Sequence, residues 1–159
     1  ERLEPAPMLL ALSNTGRLGK KSGSGLYAYE DGVEKGVDTS VFAELGMLGR
    51  EPERTSGVDA AIRRRLVLAM VNEAARILED GIVTAAHDID LAMIMGTGFP
   101  PFRGGLLRFA DTLHPRGVLH QVQELHQEFG ARFEPAPVLV QLAAEDRSFY
   151  AAFPGTRAK

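Results

Sequence analysis

The chain has 159 residues, a formal net charge of −3 and a pI near 5.8. That is room for one well-buried core, or for one domain plus a piece of another, and the charge gives no support to a nucleic-acid or anionic-membrane role. With no cysteine, disulfides, thiol catalysis and cysteine-based zinc sites are excluded, and the composition is compatible with a cytoplasmic location; the densest apolar run, Leu66–Val71, is six residues long against the roughly 20 that span a bilayer.

In chain order, Glu1 opens the sequence without an initiator methionine or a secretory signal, which reads as a piece of something longer. Glu4-Pro5-Ala6-Pro7 is a proline-fixed opening for a helix carrying Met8, Leu9 and Leu12, stopped by Asn14-Thr15-Gly16. Gly16–Gly25 holds four glycines and the cations Arg17, Lys20 and Lys21, and Leu26-Tyr27-Ala28-Tyr29 alternates like a short extended segment. Glu30–Gly36 reads as a charged, glycine-broken connector, followed by a short helix from about Thr39 to near Gly49 with Thr39 or Ser40 as cap. The polar run Arg50–Gly57 is the best linker in the chain.

The longest helical pattern runs from Asp59 to Asp80, on the order of 33 Å at ~1.5 Å per residue, with Ser56 or Asp59 as N-cap and Asp80-Gly81 as its stop. Two apolar stripes, one on Ile62, Leu66, Met70, Ala74 and Ile77 and one on Val67, Val71, Ala75 and Leu78, predict burial on more than one side. Thr84 or Asp88 starts a short helix through Met95, with Asp88 and Asp90 in its first turn, where negative charge suits the macrodipole. After the hinge Gly96–Gly105 come a short helix around Leu106–Ala110 and a longer one from Pro115 to about Phe129, closed by Gly130. Glu134–Leu142 then repeats Glu4–Leu12 with six identities in nine positions. Chance aside, such an echo means the end of one structural unit followed by a second, diverged copy.

The chemical motifs are weak. Gly19-Lys20-Lys21-Ser22 lacks the upstream glycine and the preceding strand of a phosphate loop, and Gly23-Ser24-Gly25-Leu26-Tyr27-Ala28 fits the dinucleotide fingerprint in letters only. A flexible turn with solvated cations is the preferred reading; a turn touching an anionic cofactor or an adjacent domain is the alternative. Asn72 and Glu73 interrupt the most apolar stretch. A carboxylate buried there must be paired, hydrogen-bonded or protonated, and accepting backbone N–H groups from a neighbouring helix start is preferred over general acid–base work, because no histidine shares the face. Asp88 and Asp90 read as caps rather than metal ligands, and His87, His114, His120 and His126 lack H-x-x-x-H spacing. Arg103-Gly104-Gly105 reads as a hinge for close helix packing, with anion binding at a helix start as the alternative. No catalytic residue and no metal site is expected; Lys20, Lys21 and Arg103 are the only candidates for contact with an anionic cofactor.

Taken together, Arg65-Leu66, Asn72–Leu78, Gly81, Asp88–Met93 and Gly96–Pro100 resemble the C-terminal helical domain of 3-hydroxyacyl-CoA dehydrogenases. Phe99–Gly105 is most similar to the second copy of that domain in the multifunctional enzymes of fatty-acid β-oxidation, whose bacterial form is the alpha subunit of the fatty-acid oxidation complex, and Gly19–Tyr27 is similar to the segment closing the first copy. The resemblance implies an all-α fold of the 3-hydroxyacyl-CoA dehydrogenase / 6-phosphogluconate dehydrogenase C-terminal-like type, with residues 1–49 as the tail of a first copy plus linker and 50–159 as the second copy. It further implies a longer polypeptide with an enoyl-CoA hydratase/isomerase domain and an NAD-binding Rossmann domain, oxidising 3-hydroxyacyl-CoA to 3-ketoacyl-CoA, with acyl-CoA as substrate and a thiolase subunit as a partner. The family's His-Glu pair belongs to the Rossmann domain, so this chain is expected to bind no NAD itself. One departure stands out: catalytic copies begin the long helix with Asn-Arg, the asparagine facing substrate, and here the pair is Arg64-Arg65. A cation replaces a short amide, which implies a copy that kept packing and lost catalysis, acting as an internal pseudo-dimer partner and prone to self-association when isolated. A freestanding helical interaction module, or an accessory domain contacting CoA phosphate, are the alternatives.

Overall fold

A computed structural model describes residues 4–46 and 56–155. The chain divides into two compact units, Glu1–Glu53 and Arg54–Lys159. The described part is mostly helical, with one small two-stranded sheet. The linker read at Arg50–Gly57 lies mainly outside the described residues, as does the predicted helix end near Gly49.

In the first unit, α1 (Pro7–Asn14) starts with Pro7 in its first turn, where a missing N–H costs nothing. It stops where Gly16 takes a positive φ and the Thr15 hydroxyl donates to the Leu12 carbonyl at 3.0 Å. The segment read as a connector is in fact half of a hairpin: β1 (Tyr27–Glu30) pairs antiparallel with β2 (Val33–Val37) across Asp31-Gly32. Both turn residues have positive φ, the backbone that a two-residue hairpin turn requires and that Asp-Gly supplies at little cost. α2 (Val41–Glu44) is shorter than predicted; its first residue, Val41, is buried.

The second unit is built on α3 (Ser56–Glu79), 24 residues long. Ser56 and Asp59 both lie within it, Asp59 in the first turn. Its C-terminus is a Schellman closure: Gly81 at positive φ, the Gly81 N–H on the Leu78 carbonyl and the Ile82 N–H on the Ile77 carbonyl, both 3.1 Å. Of the two predicted stripes, one has Val71, Ala75 and Leu78 buried and Val67 half-buried, while the other has Ala74 buried, Met70 and Ile77 half-buried, and Ile62 and Leu66 at its N-terminal end exposed.

Around α3 pack α5 (Leu106–Thr112), α6 (Pro115–Phe129) and α7 (Pro137–Glu145). α4 (Ala86–Thr97) and α8 (Phe149–Ala152) close on α5. Leu107, Val118, Val122, Phe133, Leu139 and Phe149 are the centre of the core. α4 begins at Ala86, between the two predicted starts Thr84 and Asp88, and runs two residues past the predicted Met95. The backbone does the capping: Ala86 N–H donates to the Phe153 carbonyl at 3.0 Å, and Ala85 bridges Pro154.

Candidate functional site

The glycine-rich loop of the first unit spends its own amides. Gly19 N–H donates to Ser24 O (2.8 Å), Ser22 N–H to Gly19 O (3.0 Å), Gly25 N–H to Tyr27 O (3.0 Å) and Leu18 N–H to the Ser22 hydroxyl (2.9 Å). A Cβ on Gly25 would sit 2.9 Å from the Gly19 Cα, so glycine here serves the loop's own closure. A strand follows it, not a helix. This loop does not fit a dinucleotide pyrophosphate, which needs free N–H groups at a helix start; Lys20 and Lys21 are exposed beside it.

The cation that organises this unit is Arg17 rather than the candidates Lys20 and Lys21. Its guanidinium donates to Glu44 (2.9 Å), Asp38 (2.6 Å), the Ser40 hydroxyl and the Gly25 carbonyl (3.2 Å). Bonds to Glu44 and Asp38 push the Arg17 pKa above its ordinary value. Hydrogen bonds from the Ser40 hydroxyl and from Arg17 pull Asp38 down to about 2. Glu44 is lowered too, chiefly by Arg17.

In the second unit the buried polar groups act as helix clamps. The buried carboxylate is not Glu73, which is half-buried; the deeply buried residue is Asn72, and it receives the start of α7. Its Oδ1 accepts from Ala136 N–H at 2.9 Å and its Nδ2 donates to the Glu134 carbonyl at 2.8 Å, with Arg76 one turn later donating to the same carbonyl at 2.6 Å. An amide suits this position because donor and acceptor are both needed.

Asp90, placed by sequence in the first turn of its own helix, caps a different one. It is buried and accepts from Leu107 N–H (2.6 Å), Arg108 N–H (3.0 Å) and the Tyr150 hydroxyl (2.8 Å). Gly105 makes this possible: its φ is +112°, and a Cβ there would lie 2.3 Å from the Asp90 Cβ. The start of α5 thus carries an internal carboxylate in place of an external anion. Desolvation, then the bond to Asp90, drive the Tyr150 hydroxyl up to about 12. Asp111 does the same service for α8, accepting from Phe149 N–H (2.8 Å) and Tyr150 N–H (3.2 Å). Its burial raises its pKa despite the opposing pull of those two bonds.

The structure brings Arg64 and Arg103 to one cavity of about 500 Å³, with Arg63 beside them and Phe99, Phe109 and Leu113 among its apolar walls. Arg64 donates to Glu124 and to the Gln121 carbonyl (3.3 Å), both on α6. Arg65 leaves in another direction and stacks over Phe129, 3.7 Å from the ring centroid. Among the described residues no cluster of three or more His, Asp or Glu is placed to hold a metal, and no helix is long and apolar enough to cross a membrane.

Residues 62–153 match the family model for the 3-hydroxyacyl-CoA dehydrogenase C-terminal domain. The chain belongs to that family. Its curated relatives include fatty acid oxidation complex subunits alpha: 37% identity with that of Shewanella sp. (strain MR-4) over 94% of this chain and 21% of the relative, and 40% with that of Shewanella amazonensis over 84% and 19%. The protein of that name from Vibrio vulnificus (strain CMCP6) is 41% identical over 87% of this chain and 19% of its own length. The chain therefore spans about a fifth of the length of these relatives.

Proposed function

We propose that this chain is the non-catalytic packing region of a fatty-acid β-oxidation enzyme that oxidises 3-hydroxyacyl-CoA to 3-ketoacyl-CoA with NAD. In this reading the first unit is the tail of one helical copy and the second unit is a further, complete copy, which supports the active copy as an internal pseudo-dimer partner. NAD, acyl-CoA and hydratase chemistry belong to other domains of the same polypeptide, and a thiolase subunit is a partner of the whole.

The observation that carries the reading is Arg64. At the position where catalytic copies present an asparagine to substrate, this chain has a guanidinium bound to Glu124 and Gln121 of its own α6. A long cation tied to a neighbouring helix cannot offer the short, neutral amide geometry that orients a carbonyl. The repeated Glu-Pro-Ala-Pro opening agrees with two copies, since α1 and α7 start with the same backbone at Ala6 (φ −60°, ψ 134°) and Ala136 (φ −61°, ψ 135°).

The test is the isolated chain with acetoacetyl-CoA and NADH. The expected result is no NADH consumption and no micromolar NADH binding; turnover above the uncatalysed rate overturns the reading. Sequencing the gene upstream of Glu1 tests the multidomain part, which requires a G-x-G-x-x-G strand-turn-helix unit there.

A further inference from the structure

The cavity between the first half of α3, the 99–103 bend, α5 and α6 divides by chemistry. Phe99, Phe109 and Leu113 present apolar and aromatic surface, and every charged side chain on its lining is an arginine: Arg63, Arg64 and Arg103. Its volume of about 500 Å³ lies within the roughly 300–1,000 Å³ typical of small-molecule sites. Glu124 answers Arg64 from outside the lining. Arg63 and Arg103 have no carboxylate partner among the described residues; Arg103 lies 5.4 Å from the Phe109 centroid and 5.8 Å from that of Phe102. The Arg64 Nε–H is buried without an acceptor. The Arg64 Nε–H is thus an unmade hydrogen bond at an apolar cavity, and Arg63 and Arg103, exposed and hydrated, add two cations to its lining that an incoming anion would pair with.

We infer that this cavity binds an amphiphilic anion: an apolar chain laid on Phe99, Phe109 and Leu113, with a carboxylate or phosphate head held by Arg63, Arg64 and Arg103. A bare anion gains nothing from the apolar walls, and a neutral chain leaves the guanidiniums unanswered. Guanidinium groups suit either head, because their paired N–H donors match two oxygens of a carboxylate or a phosphate. The inference stands apart from the packing reading, since it concerns ligand affinity and is read without any dehydrogenase assay.

The experiment titrates decanoate, decyl phosphate, decanol and inorganic phosphate, each below its aggregation limit, into the whole natural polypeptide that carries this chain, by isothermal calorimetry. The same titrations are run on an Arg63→Gln/Arg103→Gln variant and on Leu113→Glu. Arg63 and Arg103 are exposed, so the double variant keeps its far-UV circular dichroism; should it not, Arg63→Gln alone carries the test. The expected result is saturable binding of decanoate, decyl phosphate or both. That binding weakens at least tenfold in the double variant and is lost in Leu113→Glu, with decanol and inorganic phosphate at least tenfold weaker than the amphiphiles. Which amphiphile binds more tightly assigns the head group. Unchanged affinity in the double variant, equal binding of decanol, or no saturable binding of either amphiphile overturns the inference.

Discussion

The helices α1 and α7 open alike and end differently. Each is introduced by Glu-Pro-Ala-Pro, and in each the alanine carbonyl accepts from the residues three and four positions on, at 2.9 and 3.2 Å. Beyond that the two part. Leu139 of α7 is fully buried, and the Ala136 N–H is received by Asn72; Leu9, at the same position of α1, is 55% exposed, with Met8 and Leu10 exposed beside it. A nine-residue sequence can thus specify where a helix starts and which face is apolar, but the energy of that face comes from the helix that receives it. The second unit contains a receiver, α3. In the reading proposed above, the receiver of α1 is the long helix of the first copy.

The difference can be broken at five points. The largest effect is expected from Leu139→Ala, which leaves a cavity in the second unit and costs about 2–5 kcal/mol, read as a lower midpoint in urea unfolding followed by circular dichroism. Asn72→Ala removes the receiver itself; the Ala136 N–H is then buried without an acceptor, at about 1–3 kcal/mol, with accelerated amide exchange in the first turn of α7 as the local signature. Tyr150→Phe costs about 1 kcal/mol at neutral pH through the lost bond to Asp90. It also tests a pH dependence with a definite sign. The Tyr150 hydroxyl titrates near 12 in the fold against about 10 in a free chain, so its contribution is complete below pH 10 and disappears as pH rises from 10 through 12; the phenylalanine variant lacks that decline.

In the first unit the corresponding test is acid. Asp38 is held near 2 by Ser40 and Arg17, so its contribution is present above pH 4 and is lost as pH falls from 4 towards 2. Backbone resonances of β1, β2 and α2 should shift across that window; Ser40→Ala should narrow it most, and Arg17→Gln by a further part. The smallest change is expected from Leu9→Ala, within about 0.5 kcal/mol in this chain, because the side chain has little packing to lose. A cost comparable to Leu139→Ala would erase the comparison.

The helices of the second unit were legible because their signals are local. Pro115 and Gly130 bracket α6, Pro137 opens α7, and the three- and four-residue spacing runs through α3. The alternation at Leu26–Tyr29 marks β1, but β2 is largely exposed on both faces, so no alternation of apolar and polar residues marks it; the Asp31-Gly32 pair is the available signal for the hairpin. α8 has four residues and owes its start to Ser148 and to Asp111, 38 positions upstream, too short and too dependent on distant partners for periodicity to show. The same limit hid the role of Asp90. Gly105 was visible as a hinge, but nothing local says that the carboxylate 15 residues earlier would fill the space its missing side chain leaves. The arginine-lined cavity is likewise assembled from positions 63, 64 and 103, which meet only in three dimensions.

The bonds that Tyr150 and Phe153 make back to Asp90 and Ala86 have a consequence for synthesis. A ribosome delivers α3 to α7 before either residue emerges, so during that interval the start of α4 lacks its carbonyl partner and Asp90 lacks its phenol. Because these closing contacts join residues some 60 positions apart, the second unit is completed late, by its last short helix, and a translation pause before Tyr150 would hold it in an unlatched form.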